Sequence, residues 1–388
     1  MKYKMIGYGK QTIDKDDINA IIEVLNSELL TQGPAVEKFE KDLQDFFDAK
    51  HVCAVSSGTA ALHLAGLALG WGPKDIVITS PLTFLATANC IVYSGATPDF
   101  VDINPVSYTI DLNKVEEKVK HYLSIGKNVK AVIGIDYAGH PCDWKGLRQI
   151  ADKYDLQLIN DNCHALGARY LNDKGYAVKY ADIVTHSYHP VKHFTTGEGG
   201  AVLTNNLELD EEIRCLRTHG INKNHTKLDE PWYYNMDKLG FNYRITDFQC
   251  ALGSSQLKKL DSFIEKRHRI AKRYNDSFVN IKNLIIPTEQ STIKHSYHLY
   301  PLQIDFEKIF LTKVQFFEKM KKAGINLQVH YIPIHFQPYY RENFGFQKGE
   351  FTIAESYYYN ELSLPIYPDL SVNDISLVID NILENISK

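Results

Sequence analysis

Between residues 51 and 204 the chain alternates short, uniformly apolar runs with segments patterned as helices, and this alternation limits the fold more than any other feature. His51-Val52-Cys53-Ala54-Val55 reads as a strand that runs into Ser56-Ser57-Gly58-Thr59 and the helix-forming Ala60-Ala61-Leu62-His63-Leu64-Ala65. Further strand patterns fall at 76–79, 97–102, 131–136 and 156–160, separated by helical patterns at 83–93, 112–122 and 147–154. Runs without polar alternation suit strands buried on both faces. The spacing therefore predicts an α/β fold: a mostly parallel sheet sandwiched by helices. Ligands of such sheets bind beyond the carboxyl ends of the strands.

The flanks are helical. Residues 16–25 place Ile18, Ile21, Ile22 and Leu25 on one face, and Val36, Phe39, Leu43 and Phe46 do the same after Gly33-Pro34. Both faces are expected to cover the core. Beyond the sheet the pattern predicts a helix ending near Arg217, a polar and aromatic insertion over 222–237, and one long helix from 246 to about residue 274 carrying Leu252, Leu257, Leu260 and Phe263. Its basic run Lys266-Arg267-His268-Arg269 reads as a solvated helix face. Residues 297–304 and 326–331 read as strands around a helix, and 374–386 as a closing helix. The expected organisation is an N-terminal arm over 1–15, a large domain over 16–261 and a smaller C-terminal α+β domain over 262–388.

Composition removes several classes of function. A chain of 388 residues with 44% hydrophobic and 23% charged side chains has the make-up of an ordinary globular protein. Its net charge of −4 gives no general attraction for nucleic acid or an acidic membrane. The six cysteines are scattered without a C-x-x-C pair, as expected of reduced, mostly buried thiols. No segment is long and apolar enough to span a bilayer, and the start of the chain lacks the apolar stretch of a secretion signal, so the expected location is cytoplasmic. The histidines show no paired zinc-ligand spacing, so no metal is expected.

The chemistry converges on Lys192. It lies in Ser187-Tyr188-His189-Pro190-Val191-Lys192-His193-Phe194-Thr195-Thr196-Gly197-Glu198-Gly199-Gly200, between two apolar runs that read as buried strands. A lysine kept partly dry there loses its proton more readily, and a neutral amine forms a Schiff base with an aldehyde. Ser57, Gly58 and Thr59 stand where a strand hands over to a helix, a position whose free N–H groups suit a phosphate. Asp161 ends a strand, where its carboxylate is able to pair with a protonated pyridine nitrogen and keep that ring an electron sink. His164, three residues on, is placed to reach a ring oxygen. Each residue alone has an ordinary alternative: a solvated loop lysine, a helix cap at Ser57, a turn-capping Asp161 and a hydrogen-bonded loop histidine. Gly197-Glu198-Gly199-Gly200 lacks the spacing of a dinucleotide fingerprint.

In order along the chain, Leu30-Thr31-Gln32-Gly33-Pro34, Ser57-Gly58-Thr59-Ala60-Ala61-Leu62-His63, Thr83-Phe84-Leu85-Ala86-Thr87-Ala88-Asn89, His164-Ala165-Leu166-Gly167, His189-Pro190-Val191-Lys192 and Thr195-Thr196-Gly197-Glu198-Gly199-Gly200 resemble the DegT/DnrJ/EryC1/StrS sugar-nucleotide aminotransferases. The resemblance implies the type I pyridoxal 5'-phosphate fold. It implies Lys192 as the catalytic and cofactor-bound lysine, Asp161 on the pyridine nitrogen, His164 at the ring oxygen, Phe84 stacked on the ring, and Gly58, Thr59 and Ser187 on the phosphate. It also implies that Asn242 reaches the phosphate held by a neighbouring subunit, hence a homodimer with shared sites. Thr31, His330 and Tyr331 are the residues it suggests for the substrate. Segments 231–234, 239–257, 329–333 and 362–365 are most similar to members acting in pseudaminic-acid synthesis. These imply L-glutamate and a UDP-linked 4-keto-6-deoxy-N-acetyl-altrosamine as substrates. A sugar dehydratase using the pyridoxamine form, an aminotransferase for another keto sugar and a non-catalytic cofactor-binding regulator are the alternatives. Asn160-Asp161-Asn162 stands where the group more often has Glu-Asp-Ala, and His186-Ser187-Tyr188 where it has Phe-Ser-Phe.

Overall fold

The computed structural model describes residues 5–222, 230 and 232–386. Seven strands form one sheet: β1 (His51–Val55), β2 (Ile76–Thr79), β3 (Thr97–Phe100), β4 (Val129–Ile135), β5 (Gln157–Asp161), β6 (Ile183–Ser187) and β7 (Gly200–Thr204), in the spatial order β1-β7-β6-β5-β4-β2-β3. The pairs β2/β3, β2/β4, β4/β5 and β5/β6 are parallel, whereas β7 runs antiparallel to β1 and β6. The link from β6 to β7 contains no crossover helix, so the chain turns straight back beside the strand it has just left.

Successive strand residues point to opposite faces. Val52 and Ala54 accordingly join one apolar layer with Phe39, Leu43 and Trp144, while Cys53 and Val55 join the other with Leu64 and Ile91. Both faces are covered, which is why apolar residues occur on both faces of these strands. Each large apolar side chain sealed this way contributes roughly 1.5–3 kcal/mol. Helices Gly58–Ala68 and Leu207–Arg217 lie over one face, and Pro34–Phe47 and Trp144–Tyr154 over the other.

Four expectations are corrected. The helix Lys15–Leu25 forms, but its apolar face is not packed within the chain: Ile18, Ile22 and Leu25 are 49%, 48% and 55% exposed. Asp17 is buried instead, accepting from Ser255 Oγ at 2.6 Å, Gln256 Nε2 at 2.6 Å and Lys259 Nζ at 2.9 Å. Charge-assisted hydrogen bonds, shorter and stronger than neutral ones, set the orientation of this helix. The predicted long helix is two, Asp247–Leu257 and Leu260–Phe278, and the turn between them sends Lys259 to Asp14 and Asp17. Arg267 is not solvated: it is 1% exposed and its guanidinium donates to the carbonyls of Tyr297, His298 and Ile366 at 3.1, 3.2 and 2.9 Å. Residues 326–331 make only a bridge, Gln328 to Ser363, at the edge of a small antiparallel sheet.

That sheet joins Leu284–Ile285, Tyr300–Ile304 and Glu361–Leu364. It has its own apolar cluster, to which Ile6 also belongs. Helix Leu260–Phe278 spans the two cores, with Leu260 and Ile264 in the large one and Ile270, Tyr274 and Phe278 in the small one. Of the aromatic insertion, 223–229 and 231 lie outside the described residues. Among the described residues no helix is long and apolar enough to cross a membrane.

Candidate active site

The Lys192 loop is locked from within. Tyr188 N–H donates to Gly199 O at 2.9 Å, and Tyr188 O accepts from Thr195 Oγ1 at 2.9 Å and Thr196 N–H at 3.1 Å. Beneath the loop the Tyr188 and Phe194 rings stack at 4.7 Å. Gly197 takes φ +85°, a left-handed conformation that glycine adopts without strain, and it reverses the chain into β7. These ties leave Val191 and Lys192 facing a cavity of about 620 Å³ at the carboxyl ends of the strands.

The cavity gathers residues far apart in sequence. Asp161 arrives at the end of β5 and Ser187 at the end of β6, with Ser57, Gly58 and Thr59 at the start of helix Gly58–Ala68. Lys192 is half-buried in its wall. Desolvation pushes its ammonium pKa down, against the opposite pull of Cys163 and Asp161. Asp161 Oδ2 accepts from Thr87 Oγ1 at 2.7 Å, and Thr87 Oγ1 in turn lies 2.8 Å from Thr83 Oγ1. His164 Nε2 meets Tyr331 Oη at 3.0 Å while its Nδ1 has no hydrogen-bond partner among the described residues. Desolvation first, and the Lys192 charge second, push the His164 pKa well below the usual range, so the ring is neutral.

These residues fit a phosphorylated pyridine aldehyde. The first N–H groups of a helix lack intrahelical acceptors, and here they open beside Ser187. Gly58 is required there: a Cβ would stand 2.8 Å from Ser187 Cβ. Ser57 Oγ also accepts from Ala60 N–H at 3.1 Å, so the helix cap read from the sequence is present. Phe84 is 54% exposed and presents its ring to the same cavity, 5.9 Å from Tyr331. Of the three histidines around Lys192 only His189 lines the cavity; His186 packs on Phe47 and His193 reaches back to Ser296 O at 3.2 Å.

Residues 11–383 match the model of the DegT/DnrJ/EryC1/StrS aminotransferases. The chain belongs to that family. As an aminotransferase it is 39% identical over 387 residues to the UDP-4-amino-4,6-dideoxy-N-acetyl-beta-L-altrosamine transaminase of Campylobacter jejuni, covering 99% of both chains. Among solved structures it is similar to PseC of Helicobacter pylori, an aminotransferase involved in pseudaminic-acid biosynthesis, with TM-score 0.90 and 32% identity over 99% of this chain and 100% of that one. It is also similar to the PLP form of the putative sugar aminotransferase Spr1654 of Streptococcus pneumoniae, with TM-score 0.89 and 26% identity over 99% of each chain.

His330 and Tyr331 of this aminotransferase line the cavity, as do Gly58, Thr59, Phe84, Asp161, His164, Ser187 and Lys192. Thr31 and Asn242 do not: Thr31 is exposed and bridges to Thr246, and Asn242 is exposed and bridges to Thr218. Sequence reasoning missed Tyr8, Thr87 and His298, which also face the cavity. Thr87 lies within the family-like segment 83–89, which was the signal for it, whereas nothing in the local patterns around Tyr8 and His298 marks them.

Proposed function

We propose that this aminotransferase carries pyridoxal 5'-phosphate on Lys192 and moves the amino group of L-glutamate to C4 of a UDP-linked 4-keto-6-deoxy sugar, UDP-4-keto-6-deoxy-N-acetyl-β-L-altrosamine. The product would serve a pseudaminic-acid-type surface glycan. One observation carries the reading: a lysine whose ammonium is held down by desolvation shares a single cavity with Asp161, His164 and the anion nest at Gly58 and Thr59. The names of the Campylobacter and Helicobacter relatives support the sugar.

Bound in this cavity, the cofactor supplies an electron sink for the carbanion formed at the reacting carbon. Asp161 would accept a hydrogen bond from the pyridine N–H and keep that proton on the ring. Thr87, donating to Oδ2, orients the carboxylate. Lys192 Nζ would take the proton from the donor's Cα and pass it to the bound cofactor, and with the keto sugar it would return that proton to C4 of the sugar. Its lowered pKa makes the neutral amine easier to reach in both directions. We place Asn242 in the neighbouring subunit's site and the exposed Ile18, Ile22 and Leu25 in the contact between two copies.

A dehydratase of this fold would need histidine in place of the lysine. Here Lys192 faces the cavity, whereas its neighbour His193 is turned away to Ser296, which favours transamination. The deciding experiment loads the protein with pyridoxal phosphate and follows its visible band. Glutamate bleaches the band, the keto sugar restores it, and borohydride fixes a pyridoxyl mass on the peptide bearing Lys192. A band indifferent to glutamate means a cofactor-binding protein without turnover; a Lys192 peptide without the added mass removes the assignment altogether.

A further inference from the structure

Behind His330 runs a chain of hydrogen bonds that ends on a buried carboxylate. Glu361 and Ser363 sit two apart on strand Glu361–Leu364, so their side chains share a face, and both are fully buried. Glu361 Oε2 accepts from the backbone N–H of His330 at 3.0 Å, and Oε1 accepts from the Ser363 hydroxyl at 2.6 Å. Ser363 Oγ in turn lies 2.8 Å from His330 Nδ1. Both carboxyl oxygens act as acceptors here; desolvation pushes the Glu361 pKa up to about 7 against the pull of Ser363 and Lys313, so the carboxyl is ionised, and the arrangement holds, above that pH, where the spectra below are taken.

A hydroxyl has one proton to give. Ser363 gives it to Glu361, so the contact with Nδ1 exists only if the imidazole donates. Desolvation pushes the His330 pKa down to about 3, so the ring is neutral and carries a single N–H. That N–H is then on Nδ1. Nε2 is left with a lone pair, and His330 lines the cavity.

We propose that Glu361 and Ser363 are positioning residues that fix His330 as its Nδ1–H tautomer, so that Nε2 accepts a hydrogen bond from a hydroxyl of the sugar substrate. An acceptor at this point favours a hydroxylated ring over the carboxylates of the amino-acid donor, which only accept. The ligand assignment rests on the reading of the site as a keto-sugar aminotransferase; the tautomer does not.

The test labels histidine nitrogens with ¹⁵N in the cofactor-loaded enzyme and identifies His330 by its loss in His330→Gln. Wild type and Ser363→Thr show the Nδ1–H pattern. In Glu361→Gln the backbone N–H holds the amide oxygen, the NH₂ donates to Ser363, and Ser363 then donates to Nδ1, so His330 switches to the Nε2–H pattern. An Nε2–H pattern in wild type, or no switch in Glu361→Gln when Ser363→Thr remains as wild type, overturns the proposal. In turnover, Glu361→Gln raises KM for the keto sugar about tenfold, the loss of one hydrogen bond, with a smaller change in kcat. It also accepts a sugar whose contacting hydroxyl is O-methylated better than wild type does. If the spectra behave as stated but no keto sugar is turned over, the function is wrong and the tautomer assignment stands. If keto sugar is turned over and the spectra do not, the reverse holds.

Discussion

Thr87 Oγ1 donates to Asp161 Oδ2 across 2.7 Å, joining a helix to the end of a strand 74 residues away. With Thr83 2.8 Å behind it, this hydroxyl is the main protein donor on a carboxylate that is only 5% exposed; the other contact, from Cys163 N–H to Oδ1, is 3.3 Å long. Thr87→Val removes the donor and leaves the oxygen buried. The cofactor-free protein is expected to lose about 1.5–3 kcal/mol of stability, as for a hydrogen bond to a charged group, with Thr87→Ser restoring most of it. Urea unfolding of the three proteins measures this. Adding pyridoxal phosphate should narrow the difference, because the ring N–H then pairs with the carboxylate.

His186 Nδ1 lies 3.2 Å from the Tyr188 hydroxyl beneath the lysine loop, and its Nε2 has no partner among the described residues. Tyr188→Phe strips the remaining partner from a buried imidazole and is expected to cost about 1–3 kcal/mol. The double change His186→Phe with Tyr188→Phe removes both polar groups and should recover most of that loss. A double-mutant cycle in denaturant reads the coupling; simple additivity would show that the pair does not interact.

Acid should destabilise this protein before it reaches the usual carboxylate range. Desolvation pushes the pKa values of His164, His186, His193, His295, His298 and His330 down, to about 3 for His186 and His330. On unfolding, these rings take up protons at about pH 6.5, while the folded state refuses them, so stability falls as pH drops below that value. Asp136 and Glu361, raised by burial to about 6 and about 7, act in the opposite sense: their contribution is whole at low pH and is lost as pH rises through those values. The histidines outnumber them. The urea midpoint is expected to fall between about pH 7.5 and about pH 5, and a constant midpoint would contradict the neutral buried rings.

Sharing of sites between subunits is tested by complementation. Lys192→Ala and Asn242→Ala subunits are each expected to be impaired as homodimers, Lys192→Ala by a factor of at least about 10² if the proton shuttle alone is lost. A mixed dimer places the intact Lys192 of one chain with the intact Asn242 of the other in one of its sites. Activity that reappears on co-expression supports the exchange. Mixed dimers no more active than the homodimers would mean that Asn242 serves its own chain or none.

Local pattern revealed the sheet because burial on both faces leaves an unbroken apolar signature, as at Val52 to Val55, and this signature needs no knowledge of the neighbours. It also revealed the loop of Lys192, since strand, turn and glycine-rich return are contiguous. The same reading failed for Ile18, Ile22 and Leu25, because an apolar stripe does not say whether the rest of the same chain packs against it. It failed for Arg267, where a basic run looked solvated although three carbonyls from distant segments surround one of its members.

The amino-acid order by itself determined the class of fold, the lysine on its loop and the carboxylate at a strand end, because each depends on residues within a few positions of one another. The tertiary structure decided what those groups face. Thr87 on Asp161, Tyr331 on His164 across 167 residues, and Ser363 between His330 and Glu361 are contacts between segments that only the packed fold brings together. Hydrogen bonds act over about 3 Å, and no periodicity in a sequence reports which distant side chain will be found at that distance.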